Sequence, residues 1–112
     1  DQAQPPSLGD LSKLLRIPIP QLAKNLAPLV TKKQLVRISD NRFYLPNYVE
    51  QLARLADELS QNAPFTVRQY RDAAEIGRNV AIEMLEYFDR RGFTRRTGDT
   101  RVVSGEFTRI SS

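Results

Sequence analysis

The chain has 112 residues, with 17 Lys or Arg against 13 Asp or Glu, and it contains neither cysteine nor histidine. Those absences exclude disulfides, thiolate nucleophiles, zinc sites of the usual kind and any Ser-His triad. No apolar run approaches the roughly 18 residues that a membrane span needs, and no signal peptide is visible, so a soluble, cytoplasmic protein is expected.

The length suits one ordinary domain or two very small ones, and the start at Asp1 points to a piece of something longer. Charge is unevenly spread. Residues 1–46 carry seven basic and three acidic side chains, residues 47–89 four and eight, and residues 90–112 six and two. All four lysines precede residue 34, so every later cation is an arginine. Two basic ends flanking an acidic waist suit a polyanionic partner, although a solvated mixed-charge surface explains the same numbers.

In chain order, Leu8, Leu11, Leu14 and Leu15 predict a helix. Pro20 suits the first turn of the next one, which runs through Leu22, Leu26 and Leu29. Pro28 inside that helix should kink or break it. LVRISDNRFYL (35–45) reads as a hairpin around the polar turn Ser39-Asp40-Asn41. Nothing before Ser7 forms a further helix, so this first unit is expected to be incomplete at its front.

The second unit opens with Tyr48, Leu52, Leu55 and Leu59 on one helical face, Asn47 as the N-cap and Pro64 beyond the end. Thr66 caps a short helix with Val67, Tyr70 and Ala74 inward. Ile76 and Gly77 make a turn. A third helix then buries Ala81, Met84 or Leu85, and Phe88, and Gly92 stops it. A second hairpin follows around Thr97-Gly98-Asp99. A shift of 58 residues lays LVRISDNRFYL on FTRRTGDTRVV (93–103) without a gap, and Leu22, Leu26 and Val30 on Val80, Met84 and Phe88. Two similar units in tandem explain this. The expected fold is mainly α with small antiparallel β-hairpins: a winged-helix unit at 1–46 lacking its first helix, a second at 47–105, and a tail at 106–112.

No phosphate-cradling loop of the GxxxxGK[ST] or GxGxxG type is present, and Asp57, Glu58, Glu83, Glu86 and Asp89 are spaced as ordinary helix faces, so an enzyme is not expected. A nucleic-acid site is. In a helix-turn-helix the start of the second helix meets the ligand, here Gly77-Arg78-Asn79. Helix-start amides attract phosphate, and Arg78 offers a fork of donors to a phosphate or a guanine edge. The bland alternative pairs Arg78 with Glu75 or Glu83. The hairpin adds Arg95, Arg96 and Arg101. Strand alternation sends Arg95 and Arg96 to opposite faces, so they cannot both meet one ligand unless it wraps the wing. Arg90 and Arg91 close the third helix, where its dipole favours cations. Tyr70, Tyr87, Phe88 and Phe93 read as core.

These residues resemble a known family. Phe65, Tyr70-Arg71-Asp72, Arg78, Leu85-Glu86-Tyr87-Phe88-Asp89, Phe93-Thr94-Arg95-Arg96, Gly98-Asp99 and Arg101 resemble the last winged helix of the bacterial selenocysteine-specific elongation factors. Residues 1–46 resemble the preceding winged helix less sharply, through QPPS and LVRISDNRFYL. The resemblance implies an mRNA hairpin, the selenocysteine insertion element, as ligand. It places Gly77, Arg78 and Asn79 at the hairpin loop, with Arg95, Arg96 and Arg101 on the backbone. It implies no cofactor in this piece. GTP, selenocysteinyl-tRNA and the ribosome belong to an upstream GTPase in the parent protein, and a monomer is expected. Asn79 departs from the family pattern, which has lysine there. A winged-helix DNA binder from a transcription regulator, or a protein–protein module, stays open as an alternative.

Overall fold

The structure, a computed structural model, describes residues 7–40, 42–107 and 110. It is mainly α-helical with small antiparallel hairpins, and it divides into two compact units, Asp1–Pro46 and Asn47–Ser112. Among the described residues no helix is long and apolar enough to cross a membrane.

The first unit holds α1 (Leu8–Leu15), α2 (Ile19–Thr31), β1 (Val36–Ser39) and β2 (Arg42–Tyr44). Ser7 and Asp10 form a reciprocal capping box at the start of α1, satisfying two amide groups that a helix start leaves open. Arg16, in the left-handed region at φ 58°, ends that helix. Helix α2 is not broken at Pro28. It continues to Thr31, and Lys32 donates back to the Pro28 carbonyl at 3.0 Å. A proline this close to a helix end removes one hydrogen bond while the following turn still closes. Leu8, Leu22, Ile38 and Tyr44 make the buried centre, whereas Leu14 is 76% exposed. Ser39 pairs with Arg42 and so belongs to the strand rather than to the turn, and Asn41 lies outside the described residues.

The second unit runs α3 (Pro46–Asn62), β3 (Phe65–Thr66), α4 (Val67–Ala74), α5 (Arg78–Arg90), β4 (Thr94–Thr97) and β5 (Thr100–Val103). Pro46 rather than Asn47 opens α3, because proline already holds a helical φ and its missing amide hydrogen is not needed in the first turn. The buried stripe of α3 is Val49, Leu52, Ala53 and Ala56, with Tyr48, Leu55 and Leu59 half-buried beside it. The stripe thus runs through the two alanines, both without accessible surface, in place of Leu55 and Leu59.

Helix α5 lies at the centre of the unit. Val80, Ala81, Met84, Leu85, Tyr87 and Phe88 are all buried, together with Tyr70 of α4 and with Phe65 and Phe93. Phe88 and Phe93 meet edge to face at 5.3 Å, an arrangement favoured by the ring quadrupoles. Burial raises the hydroxyl pKa of both Tyr70 and Tyr87, and Tyr70 donates to the Leu52 carbonyl at 2.9 Å. Both tyrosines thus belong to the core. Beyond Gly105 the chain folds back: Phe107 lies 5.3 Å from the Phe93 ring, Arg54 sits over Phe107, and Ile110 is buried.

The three strands order as β3-β5-β4, all antiparallel. Thr97 pairs with Thr100, leaving the two-residue loop Gly98-Asp99 with Gly98 at φ 63°, so Thr97 belongs to the strand and not to the turn. A β-carbon at Gly98 would meet no neighbour, so glycine is favoured there by the backbone angle alone. Leu85→Ala, which empties a fully buried site at the centre of α5, should cost about 2–5 kcal/mol in chemical denaturation.

Candidate nucleic-acid interface

The turn between α4 and α5 is Glu75-Ile76-Gly77. Glu75 closes α4 in the left-handed region at φ 56°, Ile76 is buried as a plug, and Gly77 is the N-cap of α5. Gly77 has φ −70° and ψ 161°, an extended conformation open to any residue, so it is not a conformational necessity. What it withholds is a capping side chain. Helices α1 and α4 satisfy their first amides with Ser7 and Thr66, whereas α5 has no side-chain cap. Its start therefore offers amide hydrogens and the positive end of the helix dipole to an incoming anion.

Arg78 and Asn79 follow, both exposed. Among the described residues Arg78 has no carboxylate partner, so the pairing with Glu75 or Glu83 that would have explained it does not occur. Beside it lies a groove of about 400 Å³ between the starts of α4 and α5 and the wing formed by β4 and β5. Arg68, Arg78, Arg96 and Arg101 line it, along with the carboxylates of Glu86 and Asp99. With Arg101 held by Asp89, Arg68, Arg78 and Arg96 face the two carboxylates, a balance that suits an anion at the arginines.

The wing arginines separate as strand alternation requires. Arg96 pairs directly with Arg101 across the ladder and shares its face, whereas Arg95 pairs with Val102 and is absent from the groove. Arg96 is also shaped by its own turn, its Nε donating to the Gly98 carbonyl at 2.8 Å. Arg101 does not fit the reading as a free backbone contact. Its side chain is 4% exposed, and its Nε and one terminal nitrogen hold Asp89 at 3.1 and 2.9 Å. Asp89, 27% exposed at the end of α5, also accepts from the Thr94 hydroxyl at 2.5 Å. The strand turns this arginine toward the helix.

Residues 57–103 match the family model described as the winged helix of elongation factor SelB. The second unit belongs to the SelB winged-helix family. Selenocysteine-specific elongation factors from Escherichia coli and Haemophilus influenzae are 36% and 33% identical over 70 residues, and one from Desulfomicrobium baculatum is 28% identical over 76. Those matches cover 62–67% of this chain but only 11–12% of the relatives. A solved structure, the mRNA-binding domain of SelB from E. coli in complex with SECIS RNA, superimposes with a TM-score of 0.80 at 28% identity, covering 88% of this chain and 82% of that one.

Of the six residues expected at the interface, Gly77, Arg78 and Asn79 form the start of α5 and Arg96 stands by Arg78 in one groove. Arg95 faces elsewhere and Arg101 is tied to Asp89. Arg68 was missed, although a signal existed: with Thr66 as cap and Val67 and Tyr70 turned inward, the second position of α4 must point outward beside the turn. Breaking the buried pair by Arg101→Ala leaves Asp89 half-buried and unpaired. Because Asp89 keeps some water, we expect a loss of about 2–3 kcal/mol, below the 3–5 typical of a fully buried pair, measured by urea denaturation.

Proposed function

We propose that this chain is the mRNA-binding end of a selenocysteine-specific elongation factor, built from tandem winged helices, and that its second unit grips an RNA hairpin. The observation that carries this reading is the convergence of Arg68, Arg78 and Arg96 on one groove at the uncapped start of α5. The family match and the RNA-bound neighbour support the choice of ligand. In this reading the chain is a binding module, and the GTPase that delivers selenocysteinyl-tRNA at UGA codons in the cytoplasm lies elsewhere in the parent protein.

The geometry suits a structured RNA. A-form stems hide their bases in a deep, narrow groove, so sequence is read in loops and bulges while phosphates supply most of the affinity. A helix tip beside a wing is a small wedge able to hold a stem backbone and face a splayed loop. A DNA reader would press a longer helix face into the major groove. Here Glu86 stands about two turns beyond Arg78 on that face, so it opposes phosphates pressed along the helix more than those held at its tip.

The deciding experiment titrates the chain against a hairpin taken from downstream of a UGA selenocysteine codon, a loop-mutated hairpin, and duplex DNA. Preference for the first supports the reading, and equal or tighter DNA binding defeats it. Arg78→Ala should be the most damaging single surface change, costing about 1–3 kcal/mol and narrowing the discrimination between the two loops. Arg96→Ala should weaken both hairpins alike, and Arg95→Ala should do so much less, because only Arg96 shares the groove with Arg78. Raising the salt should give a log–log slope of roughly −2 to −5, as expected if three to five phosphates are neutralised. A flat response would remove the arginines from the interface.

A further inference from the structure

The Asp89–Arg101 pair is the one feature of the groove that neither the fold nor direct ligand contact explains. Asp89 lies in the last turn of α5, and Arg101 lies in β5, flanked in the sheet by Phe65 and Arg96. Thr94, at the first position of β4, donates to the same carboxylate. One carboxylate thus ties the recognition helix to both strands of the wing.

The first unit carries no charge at the three positions that match these in sequence. At the 58-residue offset Asp89, Thr94 and Arg101 correspond to Thr31, Val36 and Phe43. That unit still builds a helix followed by an antiparallel hairpin, although a β-bulge between Arg37 and Ser39 sets Phe43 opposite Arg37, whereas Arg101 lies opposite Arg96. A buried ion pair is also a poor means of adding stability, since desolvating the two charges offsets most of their attraction. What it adds is direction. A guanidinium held through two nitrogens has a fixed plane, which an apolar contact lacks.

We propose that Asp89 and Arg101 are positioning residues for RNA binding: their pair sets the wing's angle against α5 and so holds Arg96 at the distance from Arg78 that a hairpin requires. Arg101 acts from within the groove wall, while its charge is neutralised so that it does not repel the neighbouring arginines. The proposal rests on the reading of the second unit as a hairpin binder.

The test uses the whole chain in four forms: the parent, Arg96→Ala, Asp89→Asn, and the triple variant Asp89→Thr, Thr94→Val, Arg101→Phe, which installs the first unit's own residues. Each is titrated with the hairpin and melted, and Arg96→Ala is repeated in the triple background. We expect the triple variant to fold and to bind at least about tenfold more weakly. Asp89→Asn should lie between it and the parent. Arg96→Ala should weaken the parent severalfold and the triple variant not at all, a loss of coupling that a stability role would not produce. Parent-like affinity in a folded triple variant overturns the proposal, and so does an undiminished cost of Arg96→Ala. Failure of both altered chains to fold also overturns it, because the pair is then a stability element. A parent that ignores the hairpin brings down the functional reading and the proposal together, whereas a parent that binds beside unchanged variants brings down the proposal alone.

Discussion

Burial of the apolar stripe of α5 is the constraint on which the second unit depends. Ala81, Met84, Leu85 and Phe88 have no accessible surface, and the residues on the other side of the same helix make the charged groove. Because the core fixes the rotation of α5, it also fixes where Arg78 stands. The plug at Ile76 and the left-handed Gly92 bracket that stripe. The charged groove and the core are two faces of one helix, so a change in the packing of α5 is felt at its tip.

The two units show how one plan can carry different surfaces. Both hold a capped short helix, a longer helix without a side-chain cap and an antiparallel hairpin. The space between helix and hairpin in the first unit is lined largely by Ala23, Ala27, Val30 and Phe43, with Lys24 and Arg37 beside them. In the second it is lined by arginine. Pro20 stands where Arg78 would fall, and Phe43 where Arg101 would. The units differ in hairpin register as well as in side chains, because only the first hairpin carries a β-bulge.

Much of this was legible in the sequence because it is local. The hairpins announced themselves through Asp, Asn and Gly at their turns, the short helix through Thr66 followed by Gln69, and the end of α5 through Gly92, which sits at φ 77°. Pairings over longer separations were hidden. Alternation says that Arg95 and Arg96 face apart, but not which side of the sheet is covered, so the partnership of Arg101 with Asp89 could not be read. The two-residue strand β3 is too short for any periodicity, and its existence depends on β5 lying beside it. The docking of Phe107 depends on the space left beside Phe93 by the rest of the core. The shift of the α3 stripe onto its alanines has the same origin, since small residues matter only once a neighbour is known.

The strand order β3-β5-β4 leaves β4 as the outer strand on one side of the sheet. Unpaired strand edges invite pairing with another chain, the first step toward aggregation. The residues on that edge are Thr94, Arg95, Arg96 and Thr97, followed by Gly98 and Asp99 at the tip. Two such strands brought side by side would set arginine against arginine. On the opposite side of the sheet β3 is only two residues long, too short to template a partner. Arg95, which does not line the groove, thus has a physical consequence of its own: its charge opposes edge-to-edge addition of one wing to another.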